Sequence, residues 1–284
     1  MVRSVIRSFY RCFWILFLAC LCSLASCNND LFGLFGSSAL DERLKERNSF
    51  RFLTSEDLSP NSWGDNYSFV VIADTHIEQG NAHGLERIKN VIESHPDIKF
   101  AVLLGDITQS GHRQDVGKFL EIADEIRAGS GVPCYPVIGN HDIYFGNWSV
   151  WKNLIGSTRY RIDSDETTLF ILDSANAYFG RSQLDWLERE LRTANKRVFV
   201  FSHVNLFVQN PANIQQLSDV RERARITSIL QGRADFMFMG HSHRQLLRQA
   251  GGVSYLNLED YRSNRTYCLV KVTDSGISYT IEKL

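Results

Sequence analysis

Five short apolar runs in this chain each stop at a carboxylate, an amide or an imidazole. Phe69-Val70-Val71-Ile72-Ala73 leads into Asp74-Thr75-His76, and Phe100-Ala101-Val102-Leu103-Leu104 into Gly105-Asp106. Tyr135-Pro136-Val137-Ile138 leads into Gly139-Asn140-His141-Asp142. Val198-Phe199-Val200-Phe201 leads into Ser202-His203, and Phe236-Met237-Phe238-Met239 into Gly240-His241-Ser242-His243. Each run has the length and the β-branched and aromatic content of a buried strand. Open α/β sheets place ligands at the carboxyl ends of their strands. Taken singly, a strand-end Asp or His is a cap or a loop hydrogen bond more often than a ligand. Five strands delivering such groups from the same end call for a metal centre.

The stretches between the runs read as helices. Gly84 to Ser94 places Leu85, Ile88, Val91 and Ile92 on one face and is stopped by Pro96. Arg113 to Ala128 carries Phe119, Leu120, Ile122, Ala123 and Ile126, and Gly129-Ser130-Gly131 ends it. Arg181 to Ala194 turns Leu184, Leu187 and Leu191 inward. Arg159-Tyr160-Arg161 and Thr168-Leu169-Phe170-Ile171-Leu172 form a hairpin. The closing runs Val253–Leu258, Thr266–Val272 and Ile277–Ile281 are expected to be three antiparallel strands extending a second sheet.

The chemistry of the strand ends is local. In Asp74-x-His76 the two side chains, two residues apart on an extended chain, face the same way. Gly105 lets the backbone turn sharply under Asp106. His241-x-His243 puts two imidazoles on one face after a Gly turn, which is poor packing and good metal binding. After Asp142 come Ile143, Tyr144, Phe145, Trp148 and Trp151, which either pack the loop onto the core or line a substrate pocket. His83, His95 and His112 lie in polar loops or near helix ends; His83 and His112 follow metal motifs and are the better placed to touch substrate.

At 284 residues, 44% hydrophobic and 22% charged, the chain has room for one large domain or two small ones. Its net charge of -1 includes Arg3, Arg7 and Arg11; without them 28 basic residues face 32 acidic ones, giving -4. No basic patch of the kind that binds nucleic acid is present. Those arginines precede an apolar run from Cys12 to Ala25, shorter than the roughly 18 residues of a spanning helix. Leu24-Ala25-Ser26-Cys27 closes it and resembles a bacterial lipobox. The expected division is therefore a lipoprotein signal over 1–26, a tether over 27–66 with acylated Cys27, and one domain over 67–284. This places the protein on the extracytoplasmic side of a membrane through a lipid anchor. An ordinary signal peptide or an uncleaved anchor is the other reading of the leader. Beyond Cys27 only Cys134 and Cys268 remain, both in strand-like sequence and expected to be buried thiols.

Together Asp74-x-His76, Gly105-Asp106, Gly139-Asn140-His141-Asp142, His203 and Gly240-His241-x-His243 resemble the calcineurin-like metallophosphoesterase family, in block order and spacing. The resemblance implies an α/β fold, a four-layer αββα sandwich of two mixed β-sheets. It implies two divalent ions about 3.5–4 Å apart, of Mn, Fe, Zn or Co. By position, Asp74, His76, Asp106 and His243 would hold the first ion and Asp106, Asn140, His203 and His241 the second. Asp106 bridges. A bridging water would lose a proton near neutral pH and attack phosphorus in line. His141 matches the catalytic His that contacts phosphate and protonates the leaving oxygen, and Asp142 is either its orienting partner or a loop cap.

Departures narrow the comparison. Gln109 stands where purple acid phosphatases have a ligand Tyr, and Asp142 where protein phosphatases have a Glu. The large second domain of the extracellular 5′-nucleotidases is not expected, for want of room, and the capping domain of the family's DNA nucleases is not expected either. Ser202-His203-Val204-Asn205 replaces the His-His-Pro common in the compact bacterial phosphodiesterases, so the substrate stays open beyond a small phosphate ester. The expected function is a tethered dinuclear phosphoesterase acting on a monoester or diester. A catalytically silent scaffold or a binding lipoprotein is the alternative.

Overall fold

The computed structural model describes residues 39–207, 217 and 219–284. The basic apolar leader and Cys27 lie outside these residues. Among the described residues eleven strands form two sheets. The first contains β1 (Tyr67–Ile72), β2 (Ile98–Leu104) and β3 (Cys134–Val137), parallel to one another. The second opens on the hairpin of β4 (Tyr160–Asp163) and β5 (Thr167–Ile171). It continues through β6 (Arg197–Phe201), β7 (Phe236–Met239), β8 (Leu246–Ala250) and β9 (Val253–Asn257). There β5, β6, β7 and β9 run parallel, and β4 and β8 are antiparallel edges.

The closing strands do not stay together as the sequence reading expected. β9 joins the second sheet beside β7, whereas β10 (Thr266–Thr273) and β11 (Gly276–Lys283) extend the first sheet as β11-β10-β1-β2-β3. The β10–β11 hairpin satisfies the otherwise open edge of β1. β8, which sequence did not reveal, covers the other edge of β9; all five of its residues are exposed, so nothing selects an apolar alternation.

Side-chain alternation assembles four layers. Phe69, Val71, Phe100, Val102, Tyr135 and Val137 from the first sheet meet Phe199, Phe201, Phe238, Leu169 and Leu256 from the second. Phe69 stacks on Phe100 at 4.6 Å and meets Phe199 edge-on at 5.0 Å. The intervening residues Val70, Ile72, Ala101 and Leu103 point outward onto helices Ile88–Ser94 and Arg113–Ser130. On the far side Val198, Val200, Met237 and Met239 pack on helices Arg181–Glu190 and Val220–Leu230. Strands covered on both faces are apolar at every position, which is why the five runs read as continuous. The fold is the αββα sandwich expected of the resemblance. Cys134 and Cys268 are buried free thiols, and burial pushes the Cys134 thiol up to about 12.

Residues 39–66, read from sequence as a tether with local structure, carry buried anchors. Leu40, Arg43, Leu44, Leu53 and Trp63 are buried, and Trp63 lies 4.6 Å from the Phe100 ring. Arg43 donates twice to Asp173, with both N···O distances 2.7 Å and both side chains fully buried. Such a pair locks the segment to the end of β5, because either partner alone would be an uncompensated buried charge. Among the described residues no helix is long and apolar enough to cross a membrane.

Candidate metal centre

Every polar strand end named from sequence arrives at one place. The segments after β1 and β2 run on side by side: the His76 N–H donates to Asp106 O at 2.9 Å and the Ile77 N–H to Ile107 O at 2.8 Å. Asp74, His76, Asp106, His241 and His243 all have left-handed backbone, with φ of 55, 46, 46, 68 and 52°. This conformation is unfavourable for residues with a Cβ, and its clustering marks a strained functional site. Three glycines make the close approach possible. A Cβ on Gly139 would collide with Asp106, one on Gly105 would lie 2.7 Å from His203, and one on Gly240 would lie 2.5 Å from Asp74 Oδ2.

Two groups of donors result. In the first, Asp74 Oδ1 lies 3.4 Å from His243 Nε2, and His76 Nε2 lies 3.5 Å from His243 Nε2. In the second, His203 Nε2 lies 3.0 Å from Asn140 Oδ1, 3.2 Å from His241 Nδ1 and 3.2 Å from Asp106 Oδ2. Asp106 stands between the groups. Its Oδ1 accepts the His141 N–H at 2.8 Å, and its Oδ2 also faces His76 Nε2 and His141 Nε2, each at 3.9 Å. Asp74, His76, Asp106, Asn140 and His203 are buried, while His243 and part of His141 reach solvent at the rim.

The arrangement fits divalent cations. Sets of three donors, Asp74/His76/His243 and Asp106/His203/His241, have their atoms within 4.8 Å of one another. His203 Nδ1 lies 2.8 Å from the Leu104 carbonyl, which can only accept, so this ring nitrogen is a donor and Nε2 is turned inward. His76 Nδ1 is buried without a partner among the described residues. Burial lowers the His76 pKa, only partly offset by Asp106 and Asp74, and so favours the neutral ring that binds metal. Burial alone would raise the Asp106 carboxyl, but the imidazoles of His203, His141 and His76 hold it well below the usual range. For His203 burial works downward, yet Asp106 and Asp74 raise it to about 9. A cation between these groups would take the place of that proton.

His141 and Asp142 part company. The His141 ring donates from Nδ1 to the Gln109 carbonyl at 2.8 Å, leaving Nε2 toward the centre. Asp142 does not orient it, contrary to one of the two expectations for this residue. Its Oδ1 accepts from the Thr108 N–H and hydroxyl at 2.8 and 2.9 Å, and its Oδ2 from Gly139 and Ile107 N–H at 2.9 and 3.3 Å. Asp142 is thus a fully buried clamp between the loops after β2 and β3, its carboxyl raised to about 6 by burial and the nearby Asp106. The role of the Gln109 carbonyl was not legible in the sequence, because a main-chain contact leaves no side-chain signal.

The aromatic loop divides as well. Ile143, Trp148 and Trp151 are core, but the Tyr144 ring sits 4.4 Å from His141 and Phe145 is 70% exposed. The Tyr144 hydroxyl accepts from Asn140 Nδ2 at 2.7 Å, which aims Asn140 Oδ1 at His203. Ser174 is another residue that sequence did not suggest: its Oγ accepts from His203 and Val204 N–H at 3.2 and 2.9 Å. His83 meets the carbonyl of His76 at 3.2 Å, His112 precedes helix Arg113–Ser130, and His95 bonds Val91 at the end of its own helix.

The family model for calcineurin-like phosphoesterases matches residues 67–245, more than half of the chain. The chain belongs to this family. A relative from Fibrobacter succinogenes, described as a probable cyclic nucleotide phosphodiesterase, is 29% identical over 171 residues. That alignment covers 55% of this chain and 62% of the relative. Among solved structures, a dimetal phosphatase from Danio rerio aligns with TM-score 0.58 at 15% identity, over 77% of this chain and 99% of that one. A purple acid phosphatase from yellow lupin seeds gives TM-score 0.59 at 13% identity, over 79% and 53%. These two likenesses show the fold. In this chain the Gln109 side-chain oxygen accepts from Arg262 at 2.9 Å, and its main-chain carbonyl holds the His141 ring.

Proposed function

We propose that this calcineurin-like phosphoesterase hydrolyses a small phosphate ester with two divalent ions, and that Cys27 tethers it to the extracytoplasmic face of a membrane. The observation that carries the hydrolase reading is the position of Asp106 Oδ2, shared between the two donor groups with His141 at the rim. Asp74, His76, Asp106 and His243 would hold one ion, and Asp106, Asn140, His203 and His241 the other. When bound, the ions supply an activated water at neutral pH and offset the charge of the phosphoryl group. Everything else is the work of the chain. Asp106 sets the spacing of the two positions. Tyr144 keeps the amide of Asn140 oxygen-inward. The imidazolium form of His141 presents an Nε2 proton to the leaving oxygen while Gln109 holds the ring.

A phosphodiester is the favoured substrate, supported by the description of the Fibrobacter relative. The exposed Phe145 ring lies 6.0 Å from the Tyr144 ring, which itself packs on His141, and offers a flat apolar surface to a substrate. The test is metal content together with turnover of p-nitrophenyl phosphate and bis(p-nitrophenyl) phosphate. Metal-dependent turnover that is faster on the bis ester is expected. Bound metal without turnover of either ester would favour the scaffold reading instead.

The tether rests on Leu24-Ala25-Ser26-Cys27 after the basic apolar leader. Cys27→Ser is expected to release the protein from membranes or to leave the leader uncleaved. Unchanged detergent partitioning and unchanged processing in the mutant would rule the anchor out.

A further inference from the structure

A cavity of about 320 Å³ opens beside the metal centre, lined by Asn81, His83, Arg87, Tyr261, Arg265 and Leu284. None of the metal-centre residues lines it. Its polar groups converge: a Cβ on Gly84 would lie 3.8 Å from Arg87 Nε and 4.0 Å from the Tyr261 Oη. Tyr261 is wholly buried, and its hydroxyl has no hydrogen-bond partner among the described residues. A buried hydroxyl without a partner loses its hydration for nothing, so it marks a missing ligand or water. Among the described residues Arg87 makes no ion pair or side-chain hydrogen bond. The nearby Glu86 faces Lys118 at 3.7 Å instead. Arg265 holds main-chain carbonyls of Tyr261 and Arg262, and no carboxylate among the described residues pairs with it.

We propose that this cavity is a second anion site, one that takes the phosphate group of a small molecule. Guanidinium groups bind phosphate oxygens with paired N–H donors, and the phenol adds a third donor to the same oxygens. The volume exceeds that of a bare phosphate and falls at the lower end for small-molecule sites, which leaves room for a group attached to the phosphate. Two contacts join the site to the metal centre. His83 in its wall meets the His76 carbonyl at 3.2 Å, and the Tyr261 N–H donates to the Ala73 carbonyl, one residue before Asp74, at 2.8 Å. The proposal concerns binding and does not require that the protein be a hydrolase.

The experiment is calorimetric titration with inorganic phosphate. Phosphate bound at the metals should be lost in Asp106→Asn and after metal removal by chelation, whereas phosphate bound in the cavity should survive both. Arg87→Ala should weaken the surviving site by more than tenfold, and Tyr261→Phe, which removes one hydroxyl from an otherwise unchanged core, by roughly tenfold. Metal content and nitrophenyl ester turnover should stay at wild-type levels in both variants. Two results overturn the proposal: loss of all phosphate binding on chelation, or wild-type affinity at the surviving site in Arg87→Ala and Tyr261→Phe. Because the readout needs no turnover, an inactive protein that still binds phosphate here would refute the hydrolase reading alone.

Discussion

Asp106→Asn is expected to leave the protein unable to hold either ion tightly. One carboxylate faces both donor groups, its Oδ2 lying 3.2 Å from His203 Nε2 and 3.9 Å from His76 Nε2. The amide is neutral and cannot offset the charge of two cations. Removing a group that merely orients a metal ligand costs roughly 10–100-fold in affinity, and loss of a shared ligand should exceed that at both positions. The readout is ions per chain after dialysis, with melting followed in the presence and absence of metal. An ion present at 100 times its Kd stabilises the folded state by about 2.7 kcal/mol, so the metal-dependent part of the wild-type melting shift should largely vanish in the mutant. Loss of the shift with an intact metal-free melt separates lost binding from misfolding. Two tightly held ions per mutant chain would show that Asp106 is not the bridge.

His141→Ala should behave in the opposite way, keeping its metals and losing turnover. The ring is held from outside the donor groups by the Gln109 carbonyl and the Tyr144 ring, and a quarter of its side chain is exposed. General acid catalysis is typically worth about 10²–10⁴-fold, so an alkyl ester with a poor leaving group should slow by that factor. A nitrophenyl ester needs little protonation and should slow less. The geometry gives this test its force, because His141 Nε2 also falls within 4.8 Å of donor atoms of His76 and Asp106. If the mutant loses metal as Asp106→Asn does, His141 is a ligand. Wild-type rates on both esters would make it a structural histidine.

The five strand ends were legible because both conditions for reading them are local. A strand buried on both faces reads as a near-continuous apolar run, as β7 does throughout and β1 and β6 do apart from Ser68 and Arg197, and a metal ligand must be a side chain of one of a few types. Helices Arg113–Ser130 and Arg181–Glu190 and the β4–β5 hairpin followed from periodicity and turn residues in the same way. The exposed edge strand β8 carries no apolar alternation, so Leu246–Ala250 left no trace to find.

What the sequence determined by itself is the donor inventory, its order along the chain and the family to which the spacing belongs. Tertiary structure alone decided three further things. It assigned β10 and β11 to the first sheet, since the edge a strand pairs with depends on which edge is left open, not on its own pattern. It gave Asp142 to the Thr108 and Gly139 backbone and gave His141 to a main-chain carbonyl, contacts between segments some thirty residues apart or made by atoms common to every residue. And it forced five site residues into left-handed backbone, a conformation their own side chains disfavour and only the surrounding packing can impose.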